Sequence, residues 1–293
     1  MEEGRTTPVD LAFLIQKFRP GAQLLRSWPL SGGVSARVTG LEIRRADGPL
    51  ERLVVREYGP RDLAAHADLA RQEFKLLGAL HAAGLPVPQP HHFEAGVLVT
   101  GFRDGQPEFS PAHQDEYVRQ MAAFLVRLHA LPSAHFPSLR PLAWPGPPSQ
   151  KPDESLSESR IRDALERLEH PLCSLPVVLH GDVWPGNLLW SGGGLNAVID
   201  WEDAALGDPL ADVGNARLEL LFFLGPEAMH TFTDRYAVLS GADMAALPYW
   251  DLRAALRPCG RLGGWGLEEG LERQIRQRHL EFVGHVLTQL HLP

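Results

Sequence analysis

The residues best able to do chemistry crowd into one short stretch, residues 179–212, LHGDVWPGNLLWSGGGLNAVIDWEDAALGDPLAD. Asp182 sits on a loop broken by Gly181, Pro185 and Gly186, where a carboxylate could orient and deprotonate a hydroxyl nucleophile. Five residues on is Asn187, and after a further apolar run comes Asp200. An amide oxygen and a carboxylate together are hard oxygen ligands that suit Mg²⁺ and its phosphate partners. The elements that must position them are short. Val177 to Leu179 read as a buried strand. Leu188 to Trp190 and Leu195 to Ile199 read as a hairpin around the turn 191–194. Counted from a turn centre between Gly193 and Gly194, Asn187 and Asp200 are equidistant. They are therefore expected to face each other, with Cβ atoms roughly 5 Å apart.

A lone Asp in a Gly/Pro loop is ordinarily a turn residue. Here three spaced motifs agree: His180-Gly-Asp182-x4-Asn187, then Ile199-Asp200-Trp201-Glu202, then Gly207-Asp208-Pro209-x2-Asp212. Together they resemble the aminoglycoside phosphotransferase and choline kinase-like family. The resemblance implies a two-lobed, protein-kinase-like α+β fold. Its small N-terminal lobe would hold an antiparallel sheet and one main helix, and its larger C-terminal lobe would be mainly helical. It also implies that Asp182 is the catalytic base, that Asn187 and Asp200 bind Mg²⁺, and that Asp212 braces the catalytic loop. Phosphoryl transfer needs positioning and charge neutralisation more than covalent catalysis, which is what such groups supply. His180 and Asp208 read as structural: His180 ties the loop down, and Asp208-Pro209 is a helix start with Asp at the N-cap and Pro at N1.

Composition narrows the alternatives. The chain has 293 residues, 44% hydrophobic, with a net charge of −8. That allows one large or two modest domains and a real core, and it argues against nucleic acid as a partner. No run approaches the ~20 apolar residues of a membrane helix. The N-terminal MEEGRTTPVD lacks a signal-peptide pattern, and the two cysteines, Cys173 and Cys259, have no metal-like spacing. A cytoplasmic protein with two free thiols is expected.

Ahead of the central stretch, a helix is expected over 9–18 and strands over 24–30, 36–44 and 52–58. The turn Ser31-Gly32-Gly33-Val34-Ser35 between the first two strands could lay backbone N–H groups over phosphates, although it lacks the GxGxxG and GxxxxGK[ST] patterns. Arg56 stands where the resembled family usually places a phosphate-pairing lysine, and Arg can grip phosphate oxygens bidentately. Glu73, on a helix expected over 63–83, resembles the glutamate that pairs with that cation. Two more strands joined at Gly96 lead to a hinge at 99–102, where a kinase-like fold would hydrogen-bond adenine; Val99, Gly101 and Phe102 are the candidates. The lobes are expected at 1–102 and 103–293, because the junction is rich in Gly and Pro.

The second lobe opens on a helix carrying Tyr117, Met121, Phe124, Leu125, Leu128 and the histidine His129. Residues 132–152 hold seven prolines and are expected to be an irregular surface connection. Helices are expected over 157–170, 208–224, 230–239 and 271–290. The aromatic and Arg-rich segment 248–265 has no strong pattern, though its place is where the resembled family puts much of its acceptor pocket. Trp184, Trp201, Glu202 and Asp203 are expected to border the site, and an aromatic-plus-acid border would suit a cationic acceptor.

The expected function is Mg²⁺-assisted transfer of a phosphoryl group from ATP, or GTP, to a hydroxyl of a small molecule. A non-catalytic nucleotide-binding protein of the same fold is an alternative, suggested by Arg at position 56. A metal-dependent hydrolase using His180, Asp182 and Asp200 is another, and would need a third protein ligand.

Overall fold

The computed structural model describes residues 9–30, 36–143, 146–147, 151–171 and 175–292. The turn 31–35 lies outside them, as does Cys173. The chain divides into two compact units, 1–104 and 105–293.

The first unit begins with α1 (Leu11–Phe18), started by Asp10, whose side chain accepts from the Phe13 N–H at 3.0 Å. Its sheet comprises β1 (Gln23–Pro29), β2 (Ala36–Arg44), β3 (Leu50–Tyr58), β4 (Pro90–Glu94) and β5 (Val97–Gly101), antiparallel throughout, in the order β1-β2-β3-β5-β4. Alternation along β2 and β3 turns Leu41, Ile43, Leu53 and Val55 inward, where they meet Leu14 and Ile15 of α1 and Val97 and Val99 of β5. Each such buried side chain contributes about 1.5–3 kcal/mol relative to exposure. The single helix expected over 63–83 is two helices, α2 (Pro60–Ala65) and α3 (Leu69–Ala82). The break falls before Asp68, which occupies the N-cap position of α3. Periodicity of the apolar residues in α3 continued smoothly enough upstream to hide it.

The second unit is mainly helical: α4 (Gln114–His129), α5 (Glu158–Arg167), α6 (Pro209–Leu224), α7 (Pro226–Ser240), α8 (Leu247–Ala255) and α9 (Glu269–Gln289). Its strands are short: β6 (Val177–Leu179) pairs with β9 (Ala205–Gly207), and β7 (Leu188–Ser191) with β8 (Gly194–Val198). Asp208 caps α6 by accepting from the Leu210 N–H at 2.9 Å, with Pro209 opening the helix. α6 packs against α7, α8 and α9 and is buried on nearly every side, so it is the axis of this unit. It carries Asp212, Asn215 and Glu219 at intervals that put them on one face. The proline-rich connection is not merely superficial: Pro141 bridges to Leu206, and the Leu142 N–H donates to the Leu206 carbonyl at 2.8 Å, so it continues beside β9. No helix among the described residues is long and apolar enough to cross a membrane.

Candidate active site

The loop after β6 is shaped by its surroundings. Gly181 has φ 83°, and a Cβ there would lie 2.2 Å from the Asp203 carbonyl oxygen, so only glycine fits. His180 is fully buried. Its Nε2–H donates to the Ile199 carbonyl at 3.0 Å, and its Nδ1 accepts from the Asp182 N–H at 3.2 Å. From α6, Asp212 accepts the N–H of His180 on Oδ2 and that of Gly181 on Oδ1, both at 2.8 Å. His129 of α4 lies 3.2 Å from the same carboxylate and 2.8 Å from the Tyr236 hydroxyl. Burial works to raise the proton affinity of Asp212, but the hydrogen bond and charge of His129 outweigh it and hold the carboxyl below its ordinary range.

So held, the loop presents Asp182 with 30% of its side chain exposed, enough to meet a solute. Asn187 Nδ2 donates to its Oδ2 at 3.1 Å and to its backbone carbonyl at 2.9 Å. Arg257 donates from Nη2 to Oδ1 at 2.6 Å and from Nη1 to the Gly181 carbonyl at 2.7 Å. Burial pushes the Asp182 carboxyl above its ordinary range, with the nearby Asp203 and Asp200 charges adding to the rise and Arg257 opposing it. For Arg257, burial works against the charge, but Asp182, Asp203 and Glu219 overcome it and keep the guanidinium firmly protonated.

The expected face-to-face register of Asn187 and Asp200 is corrected by the hairpin. Gly192 and Gly193, at φ 58° and 77°, form a two-residue turn between paired Ser191 and Gly194, so the turn centre lies one residue earlier. An irregularity beyond Leu189 then sets Leu188 against Val198, and the Asn187 carbonyl accepts from the Ile199 N–H at 3.0 Å. Asp200 lies past the last pair, in a left-handed conformation with φ 65°. It still stands close enough for its charge to raise Asp182.

Of the four residues expected to border the site, Asp203 lines an open cavity, and Glu202 is exposed. Trp201 does not border it: only 2% exposed, it donates to the Val198 carbonyl and packs on His180 and Phe124. Trp184 is half-buried in a cluster with Phe109 and Phe223. The cavity, about 540 Å³, runs between the proline-rich connection, α5, the Gly181 loop, α6 and α8 with the segment after it. Gly181, the chain neighbour of Asp182, and Arg257, which donates to its carboxylate, are in its wall. No cluster of three His, Cys, Asp or Glu side chains arranged to hold a metal ion is found among the described residues.

Within the first unit, Arg56 Nη1 lies 3.4 Å from Glu73 Oε1, and Glu73 also accepts from the Tyr58 hydroxyl. Arg56 further packs over the Tyr58 ring. Val99 is fully buried between β3 and β4. The N–H of Gly101 donates to the Gln89 carbonyl at 2.8 Å and that of Phe102 to the Arg52 carbonyl at 3.0 Å, so neither amide is open to a purine.

A model of the phosphotransferase enzyme family (APH) matches residues 27–250. The chain belongs to that family. Similar solved structures span nearly all of the phosphotransferase. Macrolide 2′-phosphotransferase MphH from Brachybacterium faecium, an apoenzyme, shares 18% identity over 92% of this chain and 97% of its own, with a TM-score of 0.65. A thermostable mutant of aminoglycoside phosphotransferase APH(4)-Ia, in ternary complex with AMP-PNP and hygromycin B, shares 17% identity over 94% and 98%, with a TM-score of 0.62. The GDP complex of an aminoglycoside 2′-phosphotransferase IIIa mutant shares 19% over 95% and 94%, with a TM-score of 0.58. At these identities the likeness establishes the fold, a two-lobed kinase-like architecture. No curated protein matches the chain. Membership of the family makes the protein a small-molecule kinase, a phosphotransferase acting on a hydroxyl.

Three further residues around Asp182 and the cavity were not among those singled out from the sequence. Arg257 and Asn215 belong to segments without a motif. Glu219, only 6% exposed, is pushed up to about 8 by burial and by the charge of Asp182. A charged residue inside the apolar run 218–224 was the one cue that Glu219 is unusual.

Proposed function

We propose that the enzyme transfers the γ-phosphoryl group of ATP or GTP to a hydroxyl of a small molecule, with Asp182 as base. The observation that carries this is the setting of Asp182: partly exposed, gripped by Asn187 and Arg257, with its proton affinity raised by burial. The acceptor O–H donates its proton to the Asp182 carboxylate as its oxygen bonds to Pγ, and the bond from Pγ to the bridging oxygen breaks to release the nucleoside diphosphate. The Asp212 brace keeps the loop from yielding as this happens.

Asn187 and Asp200 would hold Mg²⁺. The donor set fits: Asn187 spends its Nδ2 on Asp182, which leaves the amide oxygen as its ligand atom, and Asp200 adds a carboxylate nearby. When bound, the metal would neutralise phosphate charge. Arg56, positioned by Glu73, would grip phosphates, supported by its enclosed ion pair. The nucleotides named for the similar structures, AMP-PNP and GDP, support both donors. Release of ADP or GDP should be measured across aminoglycosides, macrolides, sugars, amino alcohols and hydroxy acids. If no acceptor raises release above the level of an Asp182→Asn variant, and neither nucleotide shifts the melting temperature, the reading fails.

A further inference from the structure

We propose that the cavity beside Asp182 takes an acceptor bearing an oxyanion, a carboxylate or a phosphate, next to the hydroxyl that is phosphorylated; this rests on the phosphotransfer reading above. The whole chain carries −8, yet the described lining holds five cations, Lys151, Arg162, Arg253, Arg257 and Arg261, against three carboxylates, Glu158, Asp203 and Asp212. Two of those carboxylates are spent, and two of the cations are spent as well, Arg162 on Glu158 and Arg257 on Asp182 and Asp203. Glu158 is 4% exposed, with one oxygen on Arg162 and the other on the Asp153 N–H, each at 2.8 Å. Asp212 is 1% exposed and holds the catalytic loop. Asp203 alone offers a negative charge to the cavity, and it lies 3.4 Å from Arg257. Lys151 and Arg261, by contrast, have no carboxylate partner among the described residues.

Among the described lining residues the aromatic one, Trp250, already carries a cation, the Arg253 guanidinium 4.9 Å from its ring centroid. Two wall residues carry buried polar atoms without a hydrogen-bond partner. Asn215, 3% exposed, keeps a buried Oδ1 without a partner, and Trp250, also 3% exposed, keeps an unpartnered indole N–H. Unsatisfied buried polar groups are costly, so a ligand that supplies both a hydroxyl donor and an oxygen acceptor is selected. Guanidinium groups match the planar geometry of carboxylate and phosphate. An anionic acceptor would also compete for Arg257, loosening its grip on Asp182 as the hydroxyl arrives.

The test is a matched series on hexose and three-carbon scaffolds: neutral, amine-bearing, carboxylate-bearing and phosphate-bearing, such as glucose, glucosamine, gluconate and glucose 6-phosphate. Both nucleoside diphosphate release and direct calorimetric binding without nucleotide are read. Oxyanionic members should bind and turn over better than their neutral and cationic counterparts, and comparison of the carboxylate and phosphate arms identifies which oxyanion is preferred. Arg261→Gln, at an exposed position that leaves the fold intact, should weaken them about 10- to 100-fold, the loss expected for a charge-assisted contact. Arg253→Gln should act in the same direction. Preference for the amines, or binding indifferent to charge and to Arg261→Gln, overturns the proposal while leaving phosphotransfer standing. Oxyanion binding without turnover of any acceptor overturns the assignment of the oxyanion to an acceptor, and counts against phosphotransfer itself.

Discussion

Arg257 Nη2 lies 2.6 Å from Asp182 Oδ1, joining residues 75 positions apart, and the same guanidinium grips the Gly181 carbonyl. A cation from beyond α8 therefore positions the proposed base and opposes the rise in its proton affinity that burial causes.

Removing that cation has a defined sign. Burial already raises the Asp182 carboxyl, and Arg257 opposes the rise. Arg257→Gln should raise it further, so the ascending limb of kcat/KM against pH moves to higher pH. Arg257→Lys should move it less, since charge remains without the fork. A pH-rate profile checks this; an unshifted limb with Arg257→Gln would separate Arg257 from the protonation of the base.

The carboxylates Asp182 and Asp200 should fail differently. Asp182→Asn is expected to cut kcat by at least the ~10²–10⁴-fold typical of a general base, with Mg·ATP binding near normal. Asp200→Asn should weaken both nucleotide affinity and turnover, with partial recovery at high Mg²⁺. Calorimetry with ATP and kcat at several Mg²⁺ concentrations compare them, and equal loss of ATP binding would refute separate roles.

Glu219 predicts a stability gain that depends on pH. Its folded value is raised to about 8 from an ordinary 4.5, so the folded state holds a proton that the unfolded chain releases. The associated stability is fully present below about pH 4.5 and is lost as pH rises toward 8, on the order of 5 kcal/mol. Glu219→Gln escapes this loss. Its melting temperature should exceed wild type at pH 8.5 and converge with it near pH 5; a constant difference across that range would contradict burial of the acid.

Arg217 and Asp251 form a buried pair between α6 and α8, 3.0 Å apart. Arg217→Met strands the Asp251 carboxylate and should cost about 3–5 kcal/mol in denaturant unfolding at neutral pH. The double variant Arg217→Met with Asp251→Leu should recover much of this. A double variant no more stable than the single would show that the pair does more than neutralise itself.

The residues of the central stretch were legible because their chemistry is local. The Asp208-Pro209 helix start, the Gly-Gly turn and the strands at 177–179 and 188–198 follow from backbone preferences within a few residues of chain. The family, and through it the kinase-like fold, followed from three such motifs in order. The hairpin register was not legible, because a slip of one residue depends on where the bulge falls, and cross-strand packing decides that.

What the sequence by itself determined about this protein is the set of loop residues able to do phosphoryl-transfer chemistry and the elements that carry them. Only the tertiary structure decided what surrounds them. It buried Trp201 against His180, broke the 63–83 helix, and brought Arg257 to Asp182 and Glu219 near both. The reason is physical: a motif records short-range backbone geometry, whereas ion pairing and desolvation act through space between segments whose separation along the chain leaves no periodic trace.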